Sequence, residues 1–98
     1  MGIYKPSVAG KPPIIVASST QGVSAACELV AAHYTNLTAG AGRVNLRDGG
    51  AAGEIRVVMS SDAANGNDGF EPSQPAKFLK GIYVEFATGT GVVTLLVN

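Results

Sequence analysis

The chain has 98 residues, and its seven basic and seven acidic side chains cancel, so a single domain is expected, burying roughly 60 to 68% of its unfolded surface. Zero net charge removes the long-range field that draws a protein to nucleic acid or to an anionic membrane, and neither partner is expected. One cysteine, Cys27, excludes an internal disulfide and is read as a buried reduced thiol, while the lack of a signal pattern or of an apolar run near ~18 residues leads to the expectation of a soluble chain made in the cytosol.

Residues 1–13 hold Pro6, Pro12 and Pro13 with Lys5 and Lys11, and Ile3 and Tyr4 stand as isolated apolar points. Proline fixes φ and favours extended conformation, so this segment reads as an extended N-terminal arm ahead of a domain spanning 14–98. Two readings stand for it: a frayed terminus, or an arm that docks Ile3 and Tyr4 on a neighbouring subunit. Pro13-Ile14-Ile15-Val16-Ala17 reads as a short apolar strand ending in the polar cluster Ser18-Ser19-Thr20-Gln21-Gly22.

Residues 23–37 are ambiguous. Their alanine content suits a helix, and Ser24 with Glu28, one position too far for a capping box, mimics a cap. As a strand, Cys27, Leu29, Ala31, His33 and Thr35 share one face, and Glu28, Val30, Ala32 and Tyr34 the other. The β-rich surroundings favour the strand, running into a turn at Thr38-Ala39-Gly40. Arg43-Val44-Asn45-Leu46-Arg47 alternates, stops at Asp48-Gly49-Gly50, and resumes as Glu54-Ile55-Arg56-Val57-Val58-Met59. That is a hairpin. Residues 60–69 form a loop by composition, and Phe70 and Phe78 flank Pro72 and Pro75 in an irregular crossing segment.

Residues 80–98 read as a second hairpin. Ile82, Val84 and Phe86 alternate with Tyr83 and Glu85, Thr88-Gly89-Thr90-Gly91 makes the turn, and Val92 to Val97 return. The return strand is apolar on both faces, as in a strand covered twice, by its own core and by a neighbour. Five to seven short strands at this spacing predict an all-β fold, a small antiparallel β-sandwich or jelly-roll-like barrel.

The chemistry-bearing residues do not assemble into a reaction centre. On one strand, Cys27 and His33 lie roughly 20 Å apart at about 3.3 Å per residue, and on a helix they occupy different faces, which excludes a nucleophile with its base. Asp62, Asn65, Asn67, Asp68 and Glu71 gather oxygens around two glycines without the spacing of a calcium loop, so a solvated turn is expected and no metal or cofactor. Glu28, Glu54 and Glu85 alternate with apolar residues as outward strand positions do. The sequon Asn36-Leu37-Thr38 carries no weight without a secretory signal. Arg43 and Arg47 share a strand face and are expected to pair with Arg56 across the hairpin. That basic ladder is either a solvated outer face or a contact surface for an acidic patch on a partner protein.

Three pieces stand in order: Leu29-Val30-Ala31-Ala32-His33-Tyr34-Thr35-Asn36, Gly42-Arg43-Val44-Asn45-Leu46-Arg47-Asp48-Gly49, and Lys80-Gly81-Ile82-Tyr83-Val84-Glu85-Phe86 with Thr88-Gly89-Thr90-Gly91. With the segments between them they span about two thirds of the chain. Together they resemble small β-sandwich accessory proteins from the virions of tailed bacteriophages. The resemblance implies a non-enzymatic virion structural protein, made in the host cytoplasm. Its leading form is a capsid decoration or cement protein that binds the major capsid protein or another virion protein as a homo-oligomer. The alternatives are a receptor- or glycan-binding module, or a subunit of a fibre, neck or tail appendage. The partner-contact residues expected are Ile3, Tyr4, Arg43, Arg47 and Arg56.

Overall fold

The computed structural model describes residues 12–98; most of the expected arm, with Ile3 and Tyr4, lies outside the described residues. The described residues form nine strands: β1 (Ile14–Val16), β2 (Thr20–Val23), β3 (Cys27–Asn36), β4 (Gly42–Asp48), β5 (Glu54–Ser61), β6 (Asn67–Phe70), β7 (Ala76–Phe78), β8 (Ile82–Thr88) and β9 (Gly91–Val97). They make two antiparallel sheets. One runs β1-β9-β3-β6, with β7 also paired to β3, and the other runs β2-β8-β4-β5. The protein is a small all-β sandwich.

Between the sheets lie Leu29, Ala32, Tyr34, Val93 and Leu95 from the first, and Val44, Leu46, Met59, Ile82 and Val84 from the second. Phe78 closes this core from β7 and Phe70 packs at its margin from β6; both strands pair with β3, so the segment between them returns to the same sheet rather than crossing.

The β4–β5 hairpin forms with its turn at 49–53. Residues 27–36 are a strand, which settles the helix alternative, but the two continuous faces read for it are corrected. Leu29 pairs with Val97 and Ala31 with Leu96, which leaves Val30 as an extra residue, a bulge. Side chains in a strand alternate with period two, so one inserted residue reverses the phase. Cys27 and Leu29 therefore point inward before the bulge, Ala32, Tyr34 and Asn36 point inward after it, and Ala31, His33 and Thr35 point out. Cys27 is half-buried at the margin of the core rather than enclosed.

The C-terminal hairpin is also corrected. Strand β8 pairs with β2 and β4, whereas β9 pairs with β1 and β3. The chain crosses from one sheet to the other at Gly89-Thr90, where Gly89 has φ +74°. Strand β9, paired on both edges by β1 and β3, is not left open on its outer face. Its outward Leu96 is 3% exposed and the Ala31 opposite it 6%, so the greasy surface expected to await a neighbour is covered within one chain.

Sheet-to-sheet crossings at 17–19, 37–41, 62–66 and 89–90 gather at one end of the sandwich, and those at 24–26 and 79–81 lie at the other with the β4–β5 turn. The long edge strand β5 is not left open. The Ser60 amide donates to Asp68 Oδ2 at 2.9 Å, and Arg56 Nη2 donates to the Lys77 carbonyl at 3.0 Å. One backbone amide of that edge is thereby capped, and Arg56 bridges from it to β7.

Candidate functional site

Two surfaces carry the residues that matter. The first is the outer face of the four-stranded sheet, where strand pairing sets side chains in rows. Tyr83, Arg47 and Ile55 form one row; Glu85, Asn45 and Val58 form the next; Arg43 faces Ser60 in the third. Asn45 Nδ2 donates to Glu85 Oε1 at 2.7 Å, Arg47 Nε donates to the same oxygen at 3.1 Å, and Arg47 Nη1 donates to the Gly53 carbonyl at 2.8 Å. The Arg47–Glu85 ion pair closes at 3.0 Å. The Asn45 hydrogen bond, then the Arg47 hydrogen bond and charge, hold the Glu85 carboxyl below its usual range against partial desolvation.

This arrangement revises the expected arginine ladder. Leu46 pairs with Val57 and Arg47 with Ile55, so Arg56 occupies a bulge and has no partner across the hairpin. It turns aside to Glu54, at 3.0 Å, and to the Lys77 carbonyl. Arg47 is committed to Glu85. Arg43 and Arg56 are both exposed, but of the three only the Arg43 side chain donates no hydrogen bond among the described residues. Around it the face is partly apolar, with Val58 52% and Ile55 40% exposed and Tyr83 half-buried.

The second surface is the crossing end, and sequence reasoning missed what organises it. Asn36, fully buried at the end of β3, donates through Nδ2 to the carbonyls of Gly40 at 2.8 Å, Ser61 at 3.2 Å and Ala63 at 3.1 Å. Its Oδ1 accepts from the Thr38 amide at 2.9 Å. Its backbone amide donates to Gly66 O, and its carbonyl accepts from the Asn65 amide. The Leu37 amide donates to Thr90 O at 3.1 Å, and the Thr90 amide donates to Thr38 Oγ1 at 2.6 Å. One asparagine thus ties 37–41 to 62–66, and Thr38 ties the same loop to 89–90. The available signal was an asparagine ending a strand before a glycine-containing turn, a position where a side-chain amide satisfies loop backbone. As a buried residue, Asn36 offers nothing to a glycosyl transfer.

The remaining candidates do not converge. Cys27 points inward and His33 outward from the same strand, and each is already engaged in an interaction. Asn67 Oδ1 accepts from Thr35 Oγ1 at 2.8 Å, and the Asp68 carboxylate accepts from the Ser60 and Gly69 amides. Among the described residues no group of three or more His, Cys, Asp or Glu is placed to hold a metal ion. Glu28 lies on the five-stranded sheet, while Glu54 and Glu85 lie on the other and are taken by different arginines. No protein-family model matches the chain, and no curated protein or solved structure is significantly similar to it.

Proposed function

We propose that this chain is a non-enzymatic structural protein of a bacteriophage virion, a decoration or cement module that binds the assembled head. Its partner in this reading is the major capsid protein or another virion protein. The observation that carries the proposal is the outer face of the four-stranded sheet. There, exposed Val58 and Ile55 lie beside exposed Arg43 and half-buried Tyr83, in rows set by the β4 ladders to β5 and β8. Apolar side chains interleaved with arginine and tyrosine are the composition of protein contact surfaces. Arg43 meets an acidic or carbonyl-rich patch, and Arg47 and Arg56 hold the face in shape through Glu85, Gly53, Glu54 and Lys77. The resemblance of the ordered sequence pieces to phage accessory proteins is what points this reading to a virion.

The test is co-sedimentation of purified protein with assembled heads that lack it, together with mass spectrometry of complete particles. Wild-type protein should pellet with heads, whereas Arg43→Glu and Val58→Glu, both exposed, should fold normally and bind at least about tenfold more weakly. Absence of the chain from complete particles, or undiminished binding by both variants, would refute the proposal. A glycan array gives the competing reading its own chance.

A further inference from the structure

We propose that Asn65-Gly66, in the 62–66 crossing, is a site of self-modification: the pair converts to isoaspartate in water, and the fold holds that reaction back until the crossing end opens. The inference is independent of what the sheet face binds. It begins from why this dipeptide stands here. Asn65 has φ +62°, in the left-handed region that asparagine tolerates better than most residues with a side chain. A Cβ at Gly66 would collide with Ser61 Oγ and sit 3.0 Å from the Ala63 carbonyl oxygen. The turn therefore suits asparagine at 65 and requires glycine at 66, and a glycine leaves its amide nitrogen unshielded beside the carboxamide.

The reaction needs only water. The Gly66 amide nitrogen loses its proton and bonds to Asn65 Cγ, the Cγ–Nδ2 bond breaks, and ammonia departs with a proton, leaving a five-membered succinimide. Water then splits the bond between the Asn65 backbone carbonyl carbon and Gly66 N, giving hydroxyl to the carbon and hydrogen to the nitrogen. The main chain now runs through Asn65 Cβ and Cγ. The two comparable pairs are protected by their own chemistry. The Asp48 carboxylate accepts from the Leu79 and Lys80 amides, the Asp68 carboxylate accepts from the Ser60 and Gly69 amides, and a carboxylate is a poor electrophile. The Asn65 carboxamide is exposed and takes no part in the hydrogen bonds that tie the crossing end together.

The closed turn restrains the attack. The Gly66 amide donates to the Ala63 carbonyl at 3.0 Å, which occupies the proton that must leave. The Asn65 amide donates to the Asn36 carbonyl at 2.7 Å, and the Asn36 amide donates to the Gly66 carbonyl at 2.8 Å. These two bonds pin the chain on either side of the peptide link that has to rotate for the ring to close. Isoaspartate puts one more backbone carbon into the pinned interval, so both bonds to Asn36 cannot re-form in their present register. Opening exposes the pair to a change that hinders closing again.

Incubation at mildly alkaline pH, folded in buffer or unfolded in urea, tests this, with peptide mapping by mass spectrometry to follow exchange of the amide NH2 for OH at residue 65 and fragmentation to separate isoaspartate from aspartate. The unfolded chain should convert at least about tenfold faster than the folded one, and folded Asn36→Ala at least about threefold faster than folded wild type. Asn65→Gly accommodates the same φ and should show no change at that position. The isolated isoaspartate form should unfold at a lower urea concentration than the parent. If Asn36→Ala does not fold, Ser61→Ala, which removes only the hydrogen bonds between Ser61 and Ala63, takes its place as the loosened variant. Equal rates in folded and unfolded protein would overturn the proposal, as would a wild-type rate in the loosened variant, an isoaspartate form as stable as the parent, or an unfolded chain left unmodified at Asn65.

Discussion

Replacing Asn36 by alanine should be among the most damaging single changes available on the crossing end. The side chain is fully buried, and its amide carries two hydrogens to three carbonyls at 2.8, 3.1 and 3.2 Å while its oxygen accepts one amide at 2.9 Å. Two donated bonds and one accepted bond, at a net of about 1 kcal/mol each, amount to about 3 kcal/mol, and more if the orphaned carbonyls stay dry. A chain this long has a total stability of roughly 5 to 15 kcal/mol, so the loss is a large share of it. With a urea slope of about 1 kcal/mol per molar, the unfolding midpoint should fall by about 3 M. Asn36→Asp adds a diagnostic sign. A carboxylate buried against three carbonyl oxygens has its folded pKa raised above the unfolded value of about 3.9, so its penalty is least below that pH and grows as pH rises. Equilibrium urea unfolding monitored by circular dichroism at several pH values reads both effects. A midpoint shift under about 0.5 M for the alanine variant, or a pH-independent penalty for the aspartate variant, would refute the view that Asn36 organises this end.

Acid should destabilise the wild-type protein through Asp48 and Glu85. The Lys80 amide, assisted by the Leu79 amide and by the charges of Arg56 and Lys80, draws the Asp48 carboxyl down against desolvation, and Asn45 with Arg47 does the same for Glu85. A depressed folded pKa means stability that is complete above the ordinary values of 3.8 and 4.5 and is lost as pH falls through the lower folded ones. Urea midpoints should therefore decline below that range, and the decline should flatten in Asp48→Asn and Glu85→Gln; an unchanged slope in both variants would contradict the assignment. A methyl group at Gly42 would collide with the buried Tyr34 hydroxyl and sit 2.6 Å from Asn36 Oδ1. Gly42→Ala should cost about 2 kcal/mol, lowering the thermal midpoint by roughly 8 to 16 °C. The Tyr34 hydroxyl has no hydrogen-bond partner among the described residues, and burial pushes its ionisation up. Tyr34→Phe should accordingly be close to neutral alone and should restore part of the Gly42→Ala loss in calorimetry, a rescue that a generic packing defect would not produce.

The parts of this fold legible from sequence are those fixed by local alternation. Arg43 to Met59 announced a hairpin because period-two patterning and the Asp48-Gly49-Gly50 turn act within one stretch of chain. Alternation in Ile82 to Phe86 likewise identified β8, but it carries no information on which strand lies alongside. Thr88-Gly89-Thr90-Gly91 has the composition of a hairpin turn and serves instead as a crossing between sheets, because Thr38 takes Thr90 into a neighbouring loop. The Val30 bulge was invisible for a related reason: β3 is apolar or small on both sides, so the pattern does not show where its phase reverses. Strands β2, β6 and β7 are three or four residues long and rich in polar residues, glycine or lysine. Pairing with β8 or β3 makes them strands, and propensity alone does not. The expected contact residues fared by the same rule. Arg43 and Arg47 share a face as read, but whether an arginine is available depends on partners such as Glu85 and the Lys77 carbonyl, 38 and 21 residues away.

Crossing between sheets also links the architecture to the surface it leaves exposed. A hairpin satisfies the backbone groups of its own turn, but a crossing does not, and four crossings at one end bring many amides and carbonyls to the same place. Asn36 and Thr38 answer that demand from inside, with side chains that bond several loops at once. The side chains left outward on these loops are mixed, with Leu37 and several alanines beside Ser18, Ser19, Asp62, Asn65 and Thr90. Loosening Asn36 should therefore weaken the fold, whereas Leu37→Lys, at a position 54% exposed on the same loops, should leave it intact by urea unfolding.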